Sequence, residues 1–114
     1  MLDSIYGSNA IGHGKILIVE DEQDIRDLMF IYLKNQGFQV KAVEDGEQAL
    51  SEIEKDKNIN LFILDWMLPG KNGIELCRLI RKNPQTKNTA VLMVTALTQA
   101  ENIITGLEAG ADDY

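Results

Sequence analysis

From Lys15 onward the chain alternates two textures: short runs rich in β-branched residues and bounded by turn residues, and longer segments with apolar residues at three- and four-residue spacing. This alternation is the signature of repeated βα units and constrains the fold more than any other feature. Ile16 to Val19 and Leu61 to Leu64 are continuously apolar, as strands covered on both faces must be. Phe38 to Val43 alternates apolar and polar residues and suits a strand nearer the sheet edge, and Val91 to Val94 supplies a fourth strand. Between the strands, Ile25, Leu28, Met29, Tyr32 and Leu33 predict the core stripe of a first helix, which Gly37 ends in left-handed geometry. Asp45 and Gln48 open a second helix carrying Ala49, Leu50 and Ile53. Asn72 with Glu75 caps a third, whose inner face is Leu76, Cys77, Leu79 and Ile80 and which Pro84 closes. Thr98 with Glu101 caps a fourth through Leu107, ended by Gly110.

Short connections between alternating strands and helices force a mostly parallel sheet, because right-handed crossovers return every strand in the same direction. All strand C-termini then share one edge, and the ligand crevice of such a sheet lies beyond that edge, where the winding reverses. Three strands end there in polar residues: Glu20 with Asp21, Asp65, and Thr95. Carboxylates gathered in one crevice repel each other, which raises a pKa or recruits a cation. Magnesium suits the donors, since it prefers oxygen ligands and is commonly held by one or two carboxylates together with phosphate oxygens. Asp21, Asp65 and one main-chain carbonyl would suffice. An aspartate is also a nucleophile toward phosphorus when metal and hydrogen-bond donors neutralise the developing charge, and Thr95 offers such a hydroxyl. Each residue has a plainer reading on its own. Glu20 and Asp21 suit a solvated helix start, Asp65 a turn cap, and Thr95 a strand-end hydroxyl bonded to backbone.

Composition narrows the chemistry. The 114 residues make one domain, with residues 1–14 as an N-terminal extension outside the core. A net charge of -7 works against direct binding to a phosphate backbone. The single cysteine, Cys77, cannot form an internal disulfide, and no apolar run approaches a membrane span, so a cytoplasmic location without membrane contact is expected. With His13 the only histidine, triads and histidine-rich metal clusters have no material here. Neither GxGxxG nor a lysine-bearing phosphate loop is present. The chemistry left is carboxylate chemistry.

The segments KILIVEDE, LFILDWMLPG, VLMVTA and GLEAGADDY, in this order and spacing, closely resemble the receiver domain of two-component response regulators, over about Lys15 to Tyr114. The resemblance implies a flavodoxin-like (CheY-like) three-layer α/β/α fold with parallel sheet order 2-1-3-4-5. It implies Asp65 as phosphoacceptor, Asp21 and Asp65 as direct magnesium ligands, Met67 as the donor of a main-chain carbonyl to the metal, and Glu20 as an acid acting through water. Thr95 would follow the phosphoryl group by hydrogen bond, and Tyr114 would be the switch aromatic. The implied partner is a sensor histidine kinase. The wording of DWMLPG and GADDY is most similar to the OmpR/PhoB type, which implies control of transcription through a DNA-binding domain not present here and a homodimer through the fourth helix, fifth strand and fifth helix.

One departure stands out. Receivers place a lysine three residues beyond the switch aromatic and then add a fifth helix, whereas this sequence stops at Tyr114, at the start of strand five. A piece of a longer regulator is therefore expected, with residues 15–114 as a receiver lacking most of strand five and helix five. Three rival functions are a phosphorylation-independent docking or dimerisation module, a stand-alone CheY-like receiver, and a small phosphohydrolase using Asp65. The last is disfavoured because Met67 stands where an acid-base aspartate would be wanted. The receiver that the resemblance implies would be a self-modifying phosphoacceptor with autodephosphorylation rather than an enzyme in the ordinary sense.

Overall fold

The computed structural model of the chain describes residues 14–68, 72–94 and 108–112. Thr95, the expected fourth helix from Thr98, and Tyr114 lie outside the described residues, as do His13 and Pro69. Four strands, β1 (Lys15–Val19), β2 (Gln39–Val43), β3 (Leu61–Asp65) and β4 (Ala90–Val94), alternate with three helices, α1 (Gln23–Asn35), α2 (Gly46–Lys55) and α3 (Gly73–Lys82). All strand pairs are parallel and the order is β2-β1-β3-β4, the expected order as far as the described residues reach.

Each strand sends alternate residues to two cores, because successive side chains point to opposite faces. Leu17, Val19, Phe62, Leu64, Val91 and Met93 meet Ala49 and Ile53 of α2 and Ile74, Leu76, Cys77 and Ile80 of α3. Ile16, Ile18, Leu61, Ile63 and Leu92 meet Leu33 and Phe38 on the α1 side. The result is the expected three-layer arrangement. Local signals act where the sequence put them. Gly37 takes φ 97° and lets the Phe38 N–H reach the Leu33 carbonyl, turning α1 into β2. Asp45 Oδ1 accepts from the Gln48 N–H, while Gln48 Oε1 reaches back to the Glu44 N–H. Asn72 Oδ1 accepts from the Glu75 N–H and starts α3.

Two stripes differ from expectation. On α1 only Leu33 is buried and Met29 half-buried, whereas Ile25, Leu28 and Tyr32 are exposed, Leu28 to 70%. The short turn at Gln36–Phe38 draws α1 over β1 and β2, so Phe30, Met29 and Leu33 cover the sheet there. The other flank, Leu28 and Tyr32, overhangs Ile63, Leu92 and Val94 as an apolar groove of about 430 Å³. On α3, Leu79 is 37% exposed and Ile74 is buried in its place, because Gly73, Leu76, Cys77 and Ile80 centre the inward face away from Leu79.

Segment 108–112 is fastened to the start of β4. The Asp112 N–H donates to the Val91 carbonyl, and Asp112 Oδ2 accepts from the Val91 N–H, both at 2.8 Å. Arg81, on the last turn of α3, donates to the carbonyls of Gly110, Lys87 and Thr89 and to Asp112 Oδ2. Gly110 takes φ 114°, and a Cβ there would stand 2.6 Å from Arg81 Cγ.

Candidate acidic metal site

Val19 of β1 is level with Leu64 of β3, so Glu20 and Asp65 leave the sheet side by side at its C-terminal edge. This is the point where the order reverses between β1's two neighbours, β2 and β3. Asp21 follows in the loop to α1. One carboxylate oxygen from each of Glu20, Asp21 and Asp65 lies within 4.8 Å of the others. The three acids read from the sequence are therefore brought together by strand register.

Their surroundings differ. Glu20 is buried, with 4% of its surface exposed, Asp65 is half-buried and Asp21 exposed. The Glu20 N–H donates to the Val43 carbonyl, and Glu20 Oε2 accepts from the Glu22 N–H at 3.1 Å. Burial pushes the Glu20 carboxyl up from 4.5 to about 7. The Glu22 N–H opposes that rise, and hydrogen bonding to Asp65, the Asp65 charge and hydrogen bonding to Asp21 add to it. Among the described residues no ion pair relieves this crowding, since those found are Lys15–Asp56, Lys41–Glu52, Lys55–Glu52 and Arg81–Asp112. A pocket of hard oxygen donors with excess negative charge, one of them buried, fits a divalent cation.

Beyond Asp65 the chain turns at once. Asp65 Oδ1 accepts from the Met67 N–H at 3.2 Å, Trp66 is half-buried against the α2–α3 core, and Leu68 is buried. Met67 itself is exposed beside the pocket, 65% of its surface being accessible. The Gly73 N–H returns to the Trp66 carbonyl at 3.0 Å, bringing the first turn of α3 against the acid-bearing strand end. A Cβ at Gly73 would stand 2.4 Å from the Asp65 carbonyl oxygen and 2.9 Å from Trp66 Cα, both backbone atoms. Sequence reasoning missed Gly73, because a glycine at a helix start carries no signal of what backs onto it. It also missed Arg26, whose Nη1 donates to the carbonyls of Glu20 at 2.9 Å and Asp21 at 3.3 Å.

Residues 16–114 match the family described as the response regulator receiver domain. The phosphate regulon transcriptional regulatory protein PhoB of Rhizobium meliloti is 43% identical over 101 residues, which is 88% of this chain and 44% of that protein. The chain thus spans less than half the length of the curated relatives it matches. Among solved structures, the beryllofluoride-activated N-terminal receiver domain of Klebsiella pneumoniae RstA has a TM-score of 0.80 at 36% identity, covering 88% of this chain and 82% of that one. The chemotaxis response regulator CheY4 of Vibrio cholerae has a TM-score of 0.83 at 31% identity, with the same coverage.

Proposed function

The chain belongs to the response regulator receiver domain family, and from that premise we propose that Asp65 is its phosphoacceptor and that Glu20, Asp21 and Met67 serve a magnesium ion beside it. The observation that carries this reading is the convergence of three carboxylates from two adjacent strand ends, one of them buried, with its carboxyl pushed up to about 7 chiefly by that burial. Asp21 and Asp65 would hold the ion directly, Met67 through its main-chain carbonyl, and Glu20 through water. Magnesium, when bound, supplies neutralisation of charge on the phosphoryl oxygens.

The chain's own residues do the rest. Asp65 stands at the open edge of the sheet, where an oxygen can attack phosphorus as the bond to a donor imidazole of a sensor histidine kinase breaks. Its Oδ1 is oriented by the Met67 N–H, and the register of β3 against β1 and β4 fixes where it emerges. Thr95, next after Val94 of β4, is proposed as the hydroxyl that meets the phosphoryl group, and Tyr114 as the aromatic that reports it. Hydrolysis of the acyl phosphate returns the domain to rest, so the chain acts as a self-modifying switch. Residues 15–114 form the receiver in this reading. Similarity to the transcriptional regulatory protein PhoB supports a place in a longer transcription regulator, and the same reading carries a cytoplasmic location, a separate DNA-binding part and a dimer through the fourth helix, fifth strand and fifth helix. No helix among the described residues is long and apolar enough to cross a membrane.

Trp66, the single tryptophan, adjoins Asp65 and reports the site. Titration with magnesium and then beryllofluoride should give two successive, saturable fluorescence changes, and Asp65→Asn should abolish the second. A folded protein with no magnesium response would refute the metal site and favour a phosphorylation-independent docking module. A magnesium response with a second step that survives Asp65→Asn would refute the acceptor assignment.

A further inference from the structure

Arg26 lies in the first turn of α1, half-buried, with Nη1 directed at the carbonyls of Glu20 and Asp21. Those are two of the residues whose carboxylates form the acid pocket. The guanidinium therefore grips the main chain of the loop rather than its acids. With the Glu20 N–H tied to Val43 and the Glu22 N–H tied to Glu20 Oε2, the carbonyl contacts complete the hold on the peptide planes from Glu20 to Glu22. Asp21 is exposed, so beyond its hydrogen bonding to Glu20 its carboxylate is aimed by the backbone beneath it.

We propose that Arg26 is a positioning residue for cation binding, setting the loop so that Asp21 faces Asp65. This rests on the reading of the acid pocket as a divalent-metal site. Two effects of Arg26 have opposite signs, which makes the proposal decidable. As a nearby positive charge it would repel a divalent ion, so its removal would tighten binding. As a clamp on ligand-bearing backbone it holds the donors in place, so its removal weakens binding, and loss of an orienting partner behind metal ligands typically costs about 10–100-fold in affinity.

The test is the magnesium dissociation constant, read from Trp66 fluorescence at fixed pH and ionic strength. Arg26→Met should raise it about tenfold, the low end of that range. Arg26→Lys should raise it as well, because an ammonium keeps the repelling charge while the shorter side chain holds the two carbonyls less well. Unchanged or tighter binding in Arg26→Met overturns the proposal. Should that variant not fold, Arg26→Lys decides alone: wild-type affinity means a charge effect only, and weaker binding supports the clamp. Leu33→Ala, which loosens α1 away from the loop, is the stability control, and an equal loss of affinity there would also overturn the proposal. A wild-type protein without any magnesium response removes the metal reading and this inference with it, whereas a normal wild-type titration with an indifferent Arg26→Met removes this inference alone.

Discussion

Glu20→Gln should make the metal-free protein more stable near neutral pH. The buried carboxyl is held up to about 7 against an ordinary value of 4.5, chiefly by desolvation and then by Asp65. The folded state therefore binds the Glu20 proton more tightly than the unfolded chain does. Stability from this group is fully present below about pH 4.5 and is lost as pH rises through about 7. At about 1.4 kcal/mol per pH unit, the interval corresponds to up to about 3 kcal/mol lost by pH 8. Glutamine keeps an oxygen for the Glu22 N–H and supplies an amide donor toward Asp65, without the buried charge. Urea unfolding of both proteins in chelator should show Glu20→Gln ahead by about 1–3 kcal/mol at pH 8, with the gap closing toward pH 4.5. Magnesium should reverse the order at pH 8, stabilising wild type more than the variant. A variant less stable than wild type at pH 8 without metal, or a gap that ignores pH, would refute the crowding described at this site.

Gly73→Ala should destabilise the fold by about 1–3 kcal/mol in urea melts, because the new Cβ meets the Asp65 carbonyl and Trp66 Cα, backbone that cannot swing aside. The same variant should weaken magnesium binding, and a stabilised Gly73→Ala would show that the helix start is free to retreat. Arg81→Ala should cost about 2–3 kcal/mol, since it strips a charged donor from three carbonyls and Asp112. Arg81→Lys should recover less than half of that, and full recovery would mean that the ion pair with Asp112 alone holds segment 108–112 in place.

Strand positions, their parallel direction and the acids at the strand ends were legible because each depends on local patterning, whereas the strand order was implied by the family resemblance. A continuously apolar run ending in a carboxylate is visible in LFILD, and the glycine after α1 needs only its own backbone to act. The misjudged positions are those decided by neighbours far away in the chain. Leu28 and Tyr32 have the spacing of core residues, yet the lateral placement of α1 toward β2 leaves them over the β3–β4 side, uncovered. Leu79 sits one step round α3 from the buried arc that Gly73 and Ile74 complete. Arg26 and Gly73 act on main-chain atoms of other segments, a relation that single-sequence periodicity does not encode. Cys77, expected as a small buried hydrophobe, is one, and burial pushes its thiol up.

The pairing of β1 with β3 also has a consequence for how the chain comes to be competent. Asp21, just past the end of β1, and Asp65, at the end of β3, are carried by non-consecutive strands, with β2 and both its flanking helices between them in sequence, so no local fragment contains the pocket. The site exists only after a long-range contact has closed, among the later and slower events for a chain of this kind. A one-residue slip of β3 would turn its apolar faces inside out and move Asp65 off its level beside Glu20. On the proposed reading, metal binding at this edge would work as a proofreading signal: a nascent, half-folded or misregistered chain would have no place to put the ion, and only one that has finished its sheet could be addressed by a phosphoryl donor.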